Sequence, residues 1–264
     1  MNPSKLRTVS SGFDLQKICS GYCHRCGEEH VLPEGNVRRH CLELMEIFKK
    51  KKRIDLKQSD ADADPEFSTE YLIGEARGKM FGVMECLQKD GTTVVLRAFS
   101  GQYNGNWELD GWVGPLFDVN SLTHLSRDVE REVKRLGREI DLLPEGALQR
   151  TRYKQQRKAL SRKLMRDIHT LYGLTNFRGD SQSLYEVFSK GRGIPTGVGD
   201  CCAPKLLNHA AGNGLIPLGV AEFYWGRENP SASRQHGGFY PPCTTKCRPI
   251  LGFMLCGLNE LRDG

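Results

Sequence analysis

A pair of adjacent cysteines at the expected start of a helix constrains this chain more than any other feature. Cys201 and Cys202 follow Asp200, whose side chain can accept hydrogen bonds from the free N–H groups of a first helical turn. The partial positive charge at a helix N-terminus favours the thiolate form of cysteine. Gly212 and Gly214 predict where this helix ends. We therefore expect thiols with metal-binding or nucleophilic chemistry at this helix terminus.

A second pair of cysteines lies beyond an apolar segment. Residues 215–223 are mostly apolar, which predicts a buried strand. Cys243 and Cys247 then follow a Pro-Pro dipeptide at another expected helix start. The two pairs should therefore meet at two helix N-termini beside one strand, and we predict a zinc site there. Its candidate ligands are Cys201, Cys243, Cys247 and His236, although His236 could instead be a hydrogen-bonding loop residue.

The number of ligands and the nearby acids decide what this site could do. Three protein ligands with a water would make the site catalytic, whereas four would make it structural. Glu222 ends the apolar segment and is a candidate general base, because a carboxylate is not expected to be buried there without a function. Asp200 competes for that role, or it could only cap the helix. Without a metal, Cys201 could be a nucleophile of low pKa, and Cys202 is a further catalytic candidate.

The N-terminal part of the chain carries a second candidate zinc site. Cys23 and Cys26 are two residues apart and are followed by a glycine, which is the spacing of a zinc knuckle. We predict His30, with His40 or Cys41, as the other ligands of a structural zinc ion, and we expect His40 and Cys41 to open an amphipathic helix. The alternative is that the two cysteines belong to a buried turn.

A long helical region separates these two sites. Residues 121–172 have helical periodicity, with a break at 142–146 that predicts a helical hairpin. Its second helix has many basic residues and no acidic residue between positions 150 and 166, so we predict that it binds the phosphates of a nucleic acid. The alternative is a solvated helix face. The basic residues are Arg150, Arg152, Lys154, Arg157, Lys158, Arg162, Lys163 and Arg166.

The remaining patterns predict a mixed α/β (α+β) fold. The Asp-Gly at 90–91 lies between two strand-like segments and predicts a hairpin between residues 78 and 104. The loop at 100–107, rich in glycine and aromatic residues, could line a pocket or lie on the surface. A polar stretch at 61–65 indicates a boundary between an N-terminal segment, 1–60, and a core, 70–264, which the helical hairpin interrupts.

Composition limits the function classes. The chain has 264 residues, enough for one large domain or two small ones, with 38 Lys and Arg against 32 Asp and Glu. No apolar stretch approaches the roughly 20 residues of a membrane span, and the polar N-terminus does not resemble a signal peptide. We therefore expect a cytoplasmic protein in which the ten cysteines bind metal or react, instead of forming disulfides. Phosphate-binding motifs of nucleoside triphosphate or dinucleotide enzymes are absent from the sequence.

The order of these elements resembles the zinc nucleobase-deaminase fold. That fold has a hairpin, a helix bearing the first ligand, a strand, and a helix that starts with Pro-Cys-x-x-Cys. The resemblance implies a three-layer core, with Cys201 or Cys202 as the first zinc ligand and Cys243 and Cys247 as the other two. The chain differs in having three residues between the last two cysteines. It also has Ala203 or Pro204 where the deaminases have a catalytic glutamate.

Longer phrases resemble a second family. They lie at residues 78–83, 98–101, 115–118, 199–207, 221–226, 234–243 and 246–251. They are similar to a region that precedes the catalytic domain in some large bacterial pseudouridine synthases, and the likeness covers about residues 75–258. The resemblance implies an association with RNA modification. It does not imply pseudouridine formation, because the Arg-Leu-Asp motif of the catalytic domain is missing from this sequence.

Together these patterns support three hypotheses. The first is a zinc-dependent hydrolytic enzyme, deaminase-like, that acts on RNA or on a nucleotide or nucleobase. The second is a non-catalytic, zinc-stabilised RNA-binding module associated with RNA modification. The third is an enzyme with a cysteine nucleophile and no metal at the core site.

Overall fold

The computed structural model describes residues 19–188 and 193–263, and it confirms the expected mixed α/β class. The strands are β1 (Cys19–Cys23), β2 (Glu28–Leu32), β3 (Lys79–Leu87), β4 (Thr93–Phe99), β5 (Gly173–Thr175), β6 (Ser181–Ser183) and β7 (Ile216–Trp225). The helices are α1 (Arg38–Lys51), α2 (Val119–Leu142), α3 (Leu148–Leu171), α4 (Leu184–Phe188), α5 (Cys202–Gly212), α6 (Arg248–Leu255) and α7 (Leu258–Asp263).

The central sheet is antiparallel and has the order β4-β3-β7. The predicted hairpin is confirmed, since β3 and β4 are joined by the turn that contains Asp90 and Gly91. Gly91 has a φ of +82°, which glycine adopts without strain. The Asp90 carboxylate accepts a hydrogen bond from the Thr92 N–H at 2.9 Å and so stabilises the turn. The predicted buried strand is β7, which pairs with β3.

Helices cover both faces of this sheet. Side chains alternate along β3, so Phe81 and Val83 pack with Phe48 of α1, whereas Met84 and Cys86 pack in the cluster that contains α5 and α6. Gly82 is on the face of β3 that packs against α5, and an added Cβ there would be 2.4 Å from the Cβ of Cys202. The start of α5 is therefore pressed directly against the sheet.

The predicted helical hairpin is also confirmed, and we call α2 and α3 together the arm. The carboxylate of Asp118 caps α2 by accepting a hydrogen bond from the Ser121 N–H at 2.7 Å. Leu136 and Ile140 of α2 and Leu164 of α3 are buried within the arm. Most other arm residues have at least partly exposed side chains, so one side of each helix remains accessible to ligands.

The N-terminal segment packs on the core instead of forming a unit of its own. Cys19 and Leu32 of the β1–β2 hairpin belong to the same hydrophobic cluster as α5 and α6. The hairpin lies on α6, where an added Cβ on Gly252 would be 2.2 Å from the backbone carbonyl carbon of Tyr22. The expected boundary at 61–65 therefore does not separate two independently packed parts of the described chain. Residues 1–18 of the expected segment lie outside the described residues.

No helix among the described residues combines the length and the apolar character needed to cross a membrane.

Candidate metal centres and cleft

Three of the predicted ligands come together at two helix starts. The sulfur atoms of Cys201, Cys243 and Cys247 all lie within 4.8 Å of one another, and we call this group the three-thiol centre. Cys201 directly precedes α5 and Cys247 directly precedes α6, so both lie close to the predicted helix starts, although Cys201 is the cap residue and not part of the first turn. Cys247 is buried, whereas the other two are partly exposed. Within the described residues, no fourth Cys, His, Asp or Glu joins the group.

The three sulfurs share their protons unequally. Hydrogen bonds from the thiols of Cys201 and Cys247, together with the Cys247 N–H at 3.3 Å, lower the pKa of Cys243. The same interactions with Cys243 raise the pKa of the Cys201 thiol. Cys243 is therefore the preferred thiolate, and the raised pKa of Cys201 argues against its role as a nucleophile of low pKa. Three adjacent sulfurs are a donor set that suits a thiophilic divalent cation such as Zn²⁺.

Glu222 lies beside this centre without being one of its ligands. Its side chain points from β7 toward α5, and its Oε1 accepts a hydrogen bond from the Ala203 N–H at 2.8 Å. Burial raises the pKa of Glu222 to about 7, and the nearby Cys243 thiolate contributes in the same direction. A cavity of about 10 Å³ is lined in part by Glu222 and Tyr240, and one water molecule needs roughly that volume.

Asp200 does not cap α5, contrary to the alternative considered above. Cys201 occupies the cap position and makes no side-chain capping bond. The carboxylate of Asp200 instead accepts a hydrogen bond from the Tyr172 hydroxyl at 2.7 Å. Burial raises the pKa of Asp200. The sequence could not reveal this pair, since Tyr172 comes from the end of the arm.

The contacts of two other predicted site residues, Cys202 and His236, indicate structural roles. Cys202 is fully buried, and its thiol donates to the Met80 carbonyl oxygen at 3.4 Å. Burial raises the pKa of Cys202 well above its usual value, so a nucleophilic role is not supported. His236 accepts a hydrogen bond from the Gly226 N–H at 3.1 Å through Nδ1, and its ring centroid lies 4.2 Å from that of Trp225. His236 is therefore the hydrogen-bonding loop residue of the alternative interpretation, and it is not in the three-thiol centre.

The N-terminal site has four potential ligands, one of which the sequence did not reveal. Ligand atoms of Cys23, Cys26, His30 and Cys256 lie within 4.8 Å of one another, and we call them the four-ligand cluster. The Cys26 sulfur is 3.0 Å from Nε2 of His30. Cys256 directly follows α6, which the β1–β2 hairpin covers. No local spacing connects Cys256 with the knuckle, and its position after an apolar helix was the only available signal.

The other two residues predicted for this site lie elsewhere. His40 is on α1, where its Nδ1 is 3.1 Å from the carboxylate of Glu43. Cys41 is buried against the sheet, with its sulfur 3.8 Å from the carbonyl oxygen of Ala221. Both open α1 as predicted, but α1 covers the face of the sheet opposite to α5 and α6, so they cannot reach the knuckle.

A cleft of about 680 Å³ lies between the base of the arm and the core. Its walls are the loops at 102–108 and 196–200, the first part of α2 and the last part of α3. Asp200 lines the cleft and directly precedes Cys201, so this residue connects the cleft wall to the three-thiol centre, none of whose sulfurs is part of that wall. The loop rich in glycine and aromatic residues therefore lines a pocket, which was one of its two expected roles.

The basic residues of α3 are largely free of internal ion pairs. Arg150 is partly buried and donates to the carbonyl oxygen of Leu143 at 2.9 Å. The other seven predicted side chains, from Arg152 to Arg166, are exposed. Among the residues that the structure describes, no carboxylate lies within 4 Å of them. Such a charged surface is accessible to an anionic partner.

Both clusters are geometrically compatible with metal binding, by the type and the spacing of their donor atoms. They differ in the number of donors, since one offers three sulfurs and the other offers three sulfurs and an imidazole nitrogen. Comparison with protein-family models, with curated proteins and with solved structures gives no match for this chain.

Proposed function

We propose that this chain is a zinc-dependent hydrolytic enzyme of the deaminase type that acts on a nucleobase in RNA or in a nucleotide. The observation that carries the proposal is the three-thiol centre with the buried carboxylate of Glu222 at the same helix start. Three thiolates satisfy three of the four coordination positions that Zn²⁺ prefers and leave one for a water molecule. When bound, the ion would lower the pKa of that water and so supply a nucleophile at neutral pH.

The position of Glu222 supports this proposal. The deaminase pattern has its glutamate two residues after the first ligand, where this chain has Ala203. The Oε1 of Glu222 accepts a hydrogen bond from the Ala203 N–H. Strand β7 therefore places a carboxylate beside the position at which the deaminases have their glutamate. A carboxyl group with a pKa of about 7 can both accept and donate a proton near neutral pH.

In this reaction Glu222 is the proton carrier. It accepts a proton from the attacking water at a carboxylate oxygen and donates it to the exocyclic amine of the base. A C–O bond forms, the C–N bond breaks, and the amine leaves as ammonia, so the hydrolysis needs no co-reactant other than water. Asp200, hydrogen-bonded to Tyr172 at the edge of the cleft, orients the substrate beside the centre.

The four-ligand cluster completes the proposal as a structural zinc site. Its three sulfurs and one nitrogen fill a tetrahedral shell and leave no position for substrate. A zinc ion there would connect the β1–β2 hairpin to the residue after α6. We expect it to stabilise the fold without taking part in the reaction.

A non-catalytic, zinc-stabilised RNA-binding module is the second candidate function. The exposed basic side chains of α3 favour it, and so does the burial of Glu222, which is only 5% exposed. The two candidates differ at the three-thiol centre. An enzyme needs a coordination position that water can occupy, whereas a binding module does not.

Metal analysis of the purified protein tests the proposal. We expect two zinc ions per chain in the wild-type protein and one in a Cys243→Ser variant. The control is Cys86→Ser, which alters a buried cysteine outside both clusters and should keep both ions. X-ray absorption should give the lost ion three sulfur ligands and one light-atom ligand. If Cys243→Ser keeps both ions, the proposed centre is wrong.

Activity distinguishes the two candidates. We expect the wild-type protein to release ammonia from an RNA or nucleotide substrate and a folded Glu222→Gln variant to lose at least about 100-fold in rate. Equal rates for the two proteins would remove Glu222 from the mechanism. RNA binding without release of ammonia, with four protein ligands on both ions, would favour the binding module.

A further inference from the structure

The cleft and one side of the arm form a continuous surface beside the three-thiol centre. We propose that the cleft receives one unstacked base of a single-stranded polynucleotide, and that the side of α3 facing the cleft binds phosphates of the same strand. The strand would bring its base to the hydrolytic centre proposed above, on which this assignment rests for its chemistry. The preferred substrate is then a base within a strand and not a free nucleoside.

An unpaired imidazole lies deep in the cleft. His169 of α3 lines the cleft and is 6% exposed, and its side chain has no hydrogen-bond partner among the described residues. Burial lowers the pKa of His169. The ring is therefore neutral at pH 7 and offers one donor and one acceptor. The ring nitrogens are not among the fully buried polar atoms, so they are open to the cleft and can bind a polar ligand.

The other walls offer what a nucleobase requires. Trp107 presents a partly exposed indole, and the side-chain amides of Gln102 and Asn106 lie on the same loop. On the arm side, the Tyr172 hydroxyl is hydrogen-bonded to Asp200. A base has a flat face for stacking and an edge of donors and acceptors, and pockets for unstacked bases combine these two kinds of contact.

A row of lysines continues from the cleft along α3. Met165 lines the cleft. Lys158 and Lys154 precede it by about two and three helical turns, so they lie on the same side of the helix. Both are exposed, and no carboxylate of the described residues is within 4 Å of either. On α2, Arg127 also lines the cleft, and Lys134 follows it about two turns later.

The length of this row favours a strand over a single nucleotide. At about 1.5 Å per residue, Lys158 and Lys154 lie roughly 10 and 16 Å from Met165 along the helix axis. A single nucleotide that has its base in the cleft cannot also reach Lys154, whereas successive phosphates of a strand can. The depth of His169 requires a base that has left its stack, so the strand is single or locally unpaired.

The opposite side of α3 supplies a matched control. Lys163 and Arg152 are also exposed, but they lie about 140 to 160° around the helix from Met165. They have the same charge as Lys158 and Lys154 and belong to the same helix. Our assignment gives the phosphate contacts to the side facing the cleft, so these two residues serve as its comparison.

The test measures binding of fluorescein-labelled oligonucleotides of mixed sequence by anisotropy, using the full chain with its metals. We expect Lys154→Ala/Lys158→Ala to weaken binding of single-stranded RNA about tenfold and to reduce the salt slope by about 1.4, the value for two single-strand phosphates. Arg152→Ala/Lys163→Ala should weaken binding at most about twofold. Equal losses in the two double variants would overturn the assignment.

Cleft variants test the base contact. We expect Trp107→Ala to weaken strand binding about 5- to 100-fold, the effect of losing one stacking surface. His169→Ala should also weaken it and His169→Gln should restore part of the affinity, since glutamine keeps a donor and an acceptor. Unchanged binding in Trp107→Ala and His169→Ala, with circular dichroism like that of the wild-type protein, would refute the cleft as the binding site of the base.

The choice of ligand distinguishes this inference from the proposed function. Tight binding of an RNA or a DNA strand, with a mononucleotide at least 100-fold weaker, supports the inference whether or not ammonia is released. Preference for a duplex or for the mononucleotide would refute it. Release of ammonia from a mononucleotide without strand binding would support the proposed enzyme and refute the inference that its substrate is a base within a strand.

Discussion

Lys205 is a buried charge that connects α5 to the end of β4. The lysine is 1% exposed, and its Nζ donates to the carbonyl oxygens of Phe99 and Gly101, both at 3.0 Å. The N–H of Gly101 in turn donates to the Asp200 carbonyl oxygen at 2.8 Å. Lys205 therefore fixes the loop that carries Gln102 into the cleft.

Lys205 should make the stability of the fold depend on pH. Burial lowers the pKa of Lys205 from 10.5 to about 8, so the folded chain binds this proton less tightly than the unfolded chain does. The stabilisation of the fold by this lysine is therefore fully present above about pH 10.5, and it is lost as the pH falls through about 8. Relative to a Lys205→Met variant, the free energy of unfolding of the wild-type protein should rise by about 3 kcal/mol between these values.

Urea unfolding of the two proteins at several pH values measures this effect. The difference between the two proteins removes the contribution of groups that do not interact with Lys205 and therefore titrate alike in both. A difference that stays constant with pH would contradict the role given to Lys205. The sequence does not reveal this residue, because a lysine on a short amphipathic helix is normally exposed.

The candidate ligands show which single residues a sequence can predict. Cys201, Cys243 and Cys247 were identified because each follows from a local rule about helix starts. The same rule predicted that Asp200 caps α5, but its carboxylate accepts a hydrogen bond from the Tyr172 hydroxyl instead. Cys256 was missed, since its partners are far away in the sequence. Local rules thus found residues whose roles are local, and tertiary contacts decided the others.

Two glycines allow the β1–β2 hairpin to lie on α6. An added Cβ on Gly21 would be 2.4 Å from the Gly252 nitrogen, and one on Gly252 would be 2.2 Å from the Tyr22 carbonyl carbon. Real Cβ atoms do not approach backbone atoms so closely. This close packing brings the end of β1, with Cys23, near the residue that follows α6.

A Gly252→Ala substitution should separate these two elements. We expect it to destabilise the fold by about 1–3 kcal/mol and to reduce zinc at the four-ligand cluster, because the hairpin has to move. Gly212→Ala is the control, since an added Cβ there meets no atom within 4 Å and α5 ends at that residue. Thermal unfolding and zinc content measure both effects. Normal zinc content and stability in Gly252→Ala would show that the contact is not needed.

Most elements were predictable, because each has its own periodicity or turn signal. The β3–β4 hairpin, the arm and β7 all agree with the sequence analysis. The boundary at 61–65 was misleading. A polar loop resembles a linker in sequence, but α1 before it packs on the same sheet that the residues after it form. The arrangement of the layers depends on such contacts between distant segments.

For the whole molecule, the four-ligand cluster joins distant parts of the chain. We expect Cys256→Ser to lose one zinc ion, to keep the ion at the three-thiol centre, and to lower the free energy of unfolding by several kcal/mol. Protease should then cleave first near the β1–β2 hairpin, because its contact with α6 has lost the connecting ion.

Cys86→Ser is again the control, because Cys86 lies in the core and belongs to neither cluster. Mass spectrometry of the fragments locates the cleavage, and elemental analysis counts the zinc. Loss of both ions in Cys256→Ser would mean that the two sites are not independent. Cleavage that begins in the arm in both variants would contradict the role of the cluster in holding the hairpin.

The position of Cys256 also matters while the protein is being made. Ribosomes synthesise Cys23, Cys26 and His30 early, but the fourth member of the cluster follows only after the sheet and the arm have been translated. Until then the hairpin has neither α6 to pack on nor a complete ligand set, and its exposed thiols are open to oxidation or to the wrong metal. Correct metal loading at this cluster therefore has to follow the translation of α6.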